Sequence, residues 1–536
     1  MTRMRGTDVA SVMLLFLLLV SGADGQPARS DHQLIEAVKQ ADIDAVRSLL
    51  EDGVDVDALE PDGATALHWA ANRGDSDLVR LLLEGGADVQ AENRYGVRPL
   101  SLACASGNAS VIQQLLDAGA DVNHALVAGE TPLLTAARTA TAEVIGVLVS
   151  HGADPNVREP VRGQTPLMWA AAAGNVEAIG ALLAGGSDLF ALSEEHDFRS
   201  RSTGNGGARR PPEGPMIEFS PLMFAVRNGH LGAVRTLLDA GADPNGAIPD
   251  GTAALLVAII NAHWELAGYL IDRGADPNGM ASGWAPLHQL ARSRSLTVGH
   301  VPHPVETGTL SSLDLGRKLL ESGADVNAQV TSSGMLADGY RTKLPQIGNT
   351  PYMLAAKGVD HELMRVLLDH GADPLLTNEV GMRPVMVAAG VALHSPGEDT
   401  GTHEDALEAV QLAYSVDPDV SYTDQRGHNA LHGAARRGVV PILRFLIENS
   451  SSEVLGATVL RDDFIGQTYG DRGFAWTPLT IALGRQRDGR PIFLGEQRML
   501  PAAAVIYQAM LEKDVPVDEH EASLEDVKRL IAESGR

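Results

Sequence analysis

The chain has 536 residues and carries 69 acidic against 42 basic side chains, a formal net charge of −27. That balance argues against a protein that tracks nucleic-acid phosphates or clings to a membrane through a basic patch. Hydrophobic residues reach 44 % and aromatics only 4 %, so the chain can build a core, but one of small aliphatic side chains. Cys104 is the sole cysteine, which leaves no disulfide framework, no thiolate zinc site and no CxxC redox pair.

The first element is a leader. Arg3 and Arg5 precede an apolar run from Val9 to Val20, followed by Ser21-Gly22-Ala23-Asp24-Gly25. A positive start, a short apolar core and small residues read as a signal peptide, with cleavage after Ala23 or after Gly25. The run is shorter than the roughly 20 residues of a spanning helix. Residues 1–25 are therefore expected to be removed, leaving an exported chain, periplasmic or secreted, with no stable membrane insertion.

From there on a repeat dominates. Gly-Ala-Asp recurs with its Asp at 88, 121, 154, 243, 276, 325 and 373, and degenerate copies place Asp55 and Asp188. Several separations are 33 residues, the mark of stacked repeats. Thr131 to Asn156 spells out one unit. Thr131 suits an N-cap, and Pro132 suits the first helical position, where a missing N–H costs nothing. Leu133, Ala136 and Ala137 give a short first helix, and Val144, Ile145, Val147 and Leu148 a second at helical spacing. His151-Gly152 ends it with a left-handed cap, and Asp154-Pro155-Asn156 opens a turn.

These residues resemble the ankyrin repeat, whose T-P-L-H-x-A signature is approached most closely by Ala66-Leu67-His68-Trp69-Ala70-Ala71 and Thr165-Pro166-Leu167-Met168-Trp169-Ala170-Ala171. Aligning the signature leucine gives Leu34, Leu67, Leu100, Leu133, Leu167, Leu222, Leu255, Leu287, Tyr352, Val385, Leu431 and Leu479, twelve units in all. The expected fold is an all-α solenoid of helix-turn-helix units joined by short hairpin-like connections. Residues 26–192 would hold repeats 1–5, 193–219 an inserted loop, 220–516 repeats 6–12 with insertions, and 517–536 a closing helix. Further insertions fall at Val298 to Ser311, Met335 to Gly348, His394 to Asp405, Ser450 to Ala475 and Gly489 to Pro501. By the resemblance, those after Asp188, Asp325 and Ser450 belong with the finger-like connections.

The candidate binding residues lie five and six places after each signature leucine, which in this family face the concave surface. Lys39, Arg73, Arg138, Arg227, Arg292, Lys357, Arg436, Arg437 and Arg485 fall there, with Asn228 beside Arg227 and no acid at any such position. A cationic stripe of this kind would recruit another protein or an acidic peptide. The competing reading is local: cations near a helix C-terminus are favoured by its dipole, and acids such as Glu60, Glu92 and Glu159 can neutralise them from the fingers. Trp69, Trp169 and Phe224 share the slot two after the leucine and are expected to pack in the core. His68, His288 and His432 match the family's structural histidine. His300 and His303, and the cluster of His394, Glu398, Asp399, His403, Glu404 and Asp405, lack metal-ligand spacing, so no metal or other cofactor is expected. There is no GxSxG elbow, P-loop or dinucleotide fingerprint, and Cys104 sits in a small-residue helix slot, so catalysis is not expected either. The leading expectation is an exported, monomeric protein-binding scaffold that binds no nucleic acid. The alternative is a ligand or catalytic pocket built by the second-half insertions. Export combined with this fold points to a bacterial source.

Overall fold

A computed structural model describes residues 29–194, 218–248, 251–295, 307–332, 344, 347–393, 401–459, 477–483, 500–517 and 524–534. The leader and most of the insertions lie outside these, including His300, His303, His394, Glu398 and Asp399. The described residues are helical, with two isolated β-bridges (Ala247 with Ala253, Ala281 with Trp284) and no strand. None of the described helices is long and apolar enough to cross a membrane.

The chain divides into two compact units, one of residues up to Val161 with Gly180–Ser187, the other of Arg162–Ile179 with everything from Asp188 onward. The first unit contains α1 (Arg29–Gln40), α2 (Ile43–Glu51), α3 (Ala66–Arg73), α4 (Ser76–Glu84), α5 (Pro99–Ser106), α6 (Ala109–Asp117), α7 (Pro132–Thr139) and α8 (Ala142–Ser150). Odd-numbered helices pack on odd, even on even, so each pair stacks on the next.

The second unit starts with α9 (Pro166–Ala173), while α10 (Val176–Ala184) is divided between the two. It continues with α11 (Pro221–Arg227), α12 (Leu231–Asp239), α13 (Ala254–Ile260), α14 (Trp264–Asp272), α15 (Pro286–Arg294), α16 (Ser312–Glu321), α17 (Pro351–Lys357), α18 (His361–Asp369) and α19 (Pro384–Ala389). After these come α20 (His403–Val416), α21 (Ala430–Arg437), α22 (Val440–Glu448), the short α23 (Ser452–Leu455), α24 (Pro478–Leu483), α25 (Leu500–Glu512) and α26 (Leu524–Ser534). A continuous core runs from Trp284 to Val527. The acidic insertion ending at Asp405 is partly helical: Thr402 caps α20, its hydroxyl taking the Asp405 N–H at 3.1 Å.

Local chemistry explains the pairs. All twelve signature positions lie on first helices and are at most 3 % exposed, each large side chain contributing about 2 kcal/mol of burial. Beside them, Ala70-Ala71, Ala136-Ala137 and Ala170-Ala171 are fully buried, which lets neighbouring first helices approach closely. Cys104 stands in that slot in α5, and burial pushes its thiol pKa up, so it is packing. The second helices start on acceptors: the Asp42 carboxylate takes the Ala45 N–H at 3.0 Å and Asp75 takes that of Leu78 at 3.1 Å.

Two ties between neighbours were not visible as such in the sequence. The residue two after the repeat Asp clamps the next repeat. Asn278 donates from Nδ2 to Gly323 O at 2.8 Å and accepts the Asp325 N–H on Oδ1 at 2.7 Å. Asn123, Asn245 and Asn327 do the same. The fingers also meet directly, as where the Arg94 N–H reaches Asp62 O at 2.9 Å.

His288 fills the structural slot as expected. Its Nδ1 accepts the Ala285 N–H at 3.0 Å, and Nε2 lies 2.9 Å from Ala328 O, an arrangement that needs the neutral ring. Burial lowers its pKa to about 4. Because the folded value lies below the unfolded one, its contribution is complete above pH ~6.5 and lost as pH falls toward 4, about 3 kcal/mol in all. Urea titrations at pH 7 and pH 4.5 should show this loss, and His288→Asn should flatten the slope. An unchanged slope would reject it.

Candidate functional site

The face formed by the first helices carries the candidate cations that lie among the described residues, and in the first unit it is largely neutralised. Lys39 Nζ lies 2.5 Å from Glu60 and 3.2 Å from Glu36, and it sits over the Trp69 ring at 4.5 Å. Burial alone would lower the lysine pKa, but the two carboxylates outweigh it and hold the group above its ordinary value. The Trp69 indole N–H donates to the other Glu60 oxygen at 2.7 Å. Trp69 is thus half-buried and open to solvent along one side, whereas a core position had been expected. Its ring is the packing surface for Lys39, and one carboxylate holds both. Trp169 is also half-buried, and Phe224 alone of the three is buried, at 8 % exposure. Arg138 pairs with Glu130 at 3.0 Å.

The position six after the leucine has a structural task of its own. Arg73 donates to Lys39 O at 3.0 Å, Asn228 to Ala172 O at 3.0 Å, Ser293 to Ile259 O at 3.3 Å and Arg437 to Ala389 O at 3.4 Å. In each case a side chain from one repeat satisfies a carbonyl near the end of the preceding first helix, where the helix itself supplies no donor. The absence of acids there follows from this, since a carboxylate has nothing to donate. The dipole argument is right in direction, but the helix being capped is the neighbour's.

In the second unit the same face changes character. Arg227 is exposed, its guanidinium 5.7 Å from the Phe219 ring centre, while Arg292 and Lys357 are half-buried. Arg436 and Arg437 are only 2 % and 4 % exposed, which removes them from any cationic surface. The reason lies in α19, which stops after six residues at Gly390 (φ +113°). The following segment, Val391 to Leu393, lies against Gly433 on α21, and a Cβ added at Gly433 would stand 2.5 Å from the Val391 nitrogen. Arg436 donates to Val391 O at 3.4 Å and Leu393 O at 3.3 Å, so it serves the main chain of this strap, while Arg437 serves the end of α19. Arg485 lies outside the described residues.

The slot two after the leucine changes only after the fifth repeat, since Trp169, on α9 of the second unit, is still half-buried. Trp69, Leu102 and Thr135 in the first unit are half-buried. Val257, Gln289, Leu354, Val387 and Ile481 in the second unit are all buried. The open part of this face is therefore in the early repeats, around Trp69. Among the described residues no group of three His, Cys, Asp or Glu side chains is placed to hold a metal ion.

A family model described as three copies of ankyrin repeats matches residues 34–125, 123–191 and 222–330, and a single-repeat model matches residues 347–379. A search of curated proteins finds no match. Helix pairs continue past the last matched residue, through α19 to α25.

Proposed function

The chain belongs to the ankyrin-repeat family, and on that footing we propose that it is an exported scaffold binding a partner protein through the first-helix face and fingers of its first unit. The observation that carries this reading is a contrast along that face: the slot two after the leucine is half-buried at Trp69, Leu102, Thr135 and Trp169 and buried at Phe224, Val257, Gln289, Leu354, Val387 and Ile481. An indole already fixed by Glu60 and Lys39 offers a large contact area with little motion left to lose. Arg73 adds an exposed guanidinium four residues along the same helix. With Lys39 and Arg138 matched by carboxylates, recognition rests on this aromatic and its neighbours more than on a long positive stripe. Export rests on the leader alone.

The test is affinity capture of the mature chain from its own extracytoplasmic fraction, with Trp69→Ala in parallel. Capture of a specific partner should fall at least tenfold in the variant while its melting curve keeps its cooperativity. Equal capture by both forms would reject the assignment. The N-terminus of the recovered protein should be Asp24 or Gln26, and a chain still starting at Met1 would reject export.

A further inference from the structure

Each of four successive connections in the first unit leaves one large apolar side chain in solvent: Leu59 at 55 % exposure, Tyr95 at 52 %, Val127 at 92 % and Val161 at 64 %. The last three stand at the finger tips, five or six residues before the signature leucine. Adjacent tips touch: a Cβ at Gly96 would meet Val127 Cγ2 at 3.7 Å, and one at Gly129 would overlap the Pro160 ring. The three side chains thus form one ridge. Contiguous exposed apolar surface of this kind marks a contact site more often than scattered single residues do.

Spacing and charge restrict what fits. Neighbouring first helices pack roughly 8–10 Å apart, which sets the step from one finger to the next. Seven residues of α-helix advance about 10.5 Å. A helix laid along the ridge therefore presents the same face to each successive tip. The ridge rises from acidic ground: the four connections (residues 55–64, 88–97, 121–130 and 154–161) hold ten acids and two arginines, an excess that remains after Glu60, Glu92 and Glu130 are matched by Lys39, Arg98 and Arg138. We propose that the Tyr95–Val127–Val161 ridge is the docking site for an amphipathic α-helix of a partner protein, with apolar residues at a two-turn repeat and basic residues flanking them. The proposal rests on the scaffold reading above and supplies its partner's chemistry.

The probe is a labelled synthetic 21-residue peptide with leucines at positions i and i+3 of every seven residues and lysines on the flanks. A scrambled peptide of the same composition is the control. Fluorescence anisotropy should give saturable binding for the first and at least tenfold weaker binding for the second, with helical circular dichroism appearing in the complex. Tyr95→Asp, Val127→Asp and Val161→Asp combined should weaken binding at least tenfold with little change in melting temperature, because all three side chains are exposed. A milder set, Tyr95→Ser, Val127→Ser and Val161→Ser, should weaken it in the same direction and guards against misfolding of the first. Equal binding of the scrambled peptide would reduce the effect to net charge and overturn the proposal. So would absence of binding, or binding unaffected by both triple variants. The peptide assay uses the purified chain and the capture assay its native fraction, so loss of peptide binding with capture still dependent on Trp69 separates failure of the ridge from failure of the first-helix face.

Discussion

Asp360→Ala should destabilise the second unit by about 4 kcal/mol, the largest single effect expected among its polar residues. Asp360 has two tasks. Its Oδ1 caps α18 by accepting the Leu363 N–H at 3.1 Å, worth about 1 kcal/mol. Its two oxygens also meet the Arg294 fork from the preceding repeat, at 2.5 Å to Nε and 2.9 Å to Nη2, with side-chain exposures of 14 % and 10 % for the pair. Arg294 Nη1 reaches Ser312 as well, so the guanidinium is held from two repeats. Deleting Asp360 leaves Arg294, in a poorly hydrated place, with the exposed Glu362 at 3.4 Å as its remaining carboxylate partner among the described residues, a loss of about 3 kcal/mol. Asp360→Asn keeps an acceptor for the cap and should cost less. Urea denaturation followed by circular dichroism measures both, and an Asp360→Asn protein as stable as the parent would show that the ion pair contributes nothing.

Gly433→Ala should cost about 3 kcal/mol, although alanine is the better helix former by about 1 kcal/mol. The new methyl group would lie 2.5 Å from the Val391 nitrogen and 3.0 Å from the Gly390 carbonyl carbon, both main-chain atoms that cannot rotate away. The strap must then lift from α21, and Arg436 loses the two carbonyls it serves there. Alanine at Gly180, an ordinary helical glycine with nothing within 4 Å of its added Cβ, is the control and should be neutral or stabilising. A Gly433→Ala protein as stable as the parent would show that the strap does not bind as described. The fluorescence of Trp264 and Trp284, both buried in this unit, offers a second readout.

The repeat was legible because it is local. A leucine, a small pair three and four residues later, and a capped second helix are set by spacing within 33 residues, and every signature position is buried as the alignment required. Thr131 caps its helix and Gly152 takes a left-handed φ of +91°, both as read from residue type. The candidate site was less legible, because exposure depends on what lies across from a residue. Lys39 and Arg437 look alike in the sequence, but Glu60 neutralises one and a strap 40-odd residues upstream buries the other. Trp69 reads as core because Leu102 and Leu354 share its slot, but Trp69 and Leu102 are both half-buried, and the Trp69 indole is held by Glu60. The Asn clamp did leave a signal: asparagine recurs two places after the repeat Asp at 123, 156, 245, 278 and 327. A periodic side-chain amide beside a periodic helix end points to a bridge, since it both donates and accepts.

Two joints depart from that rule. Phe190 and Leu375 stand where the other repeats carry an amide or, at Asp57, a carboxylate that accepts the Asp88 N–H, and both are solvent-facing, at 65 % and 49 % exposure. Neither side chain can donate or accept, so the step to the following repeat lacks the paired bonds that Asn278 makes. Under tension along the chain, rupture should start at these seams, giving the protein built-in breaking points and a stepwise extension.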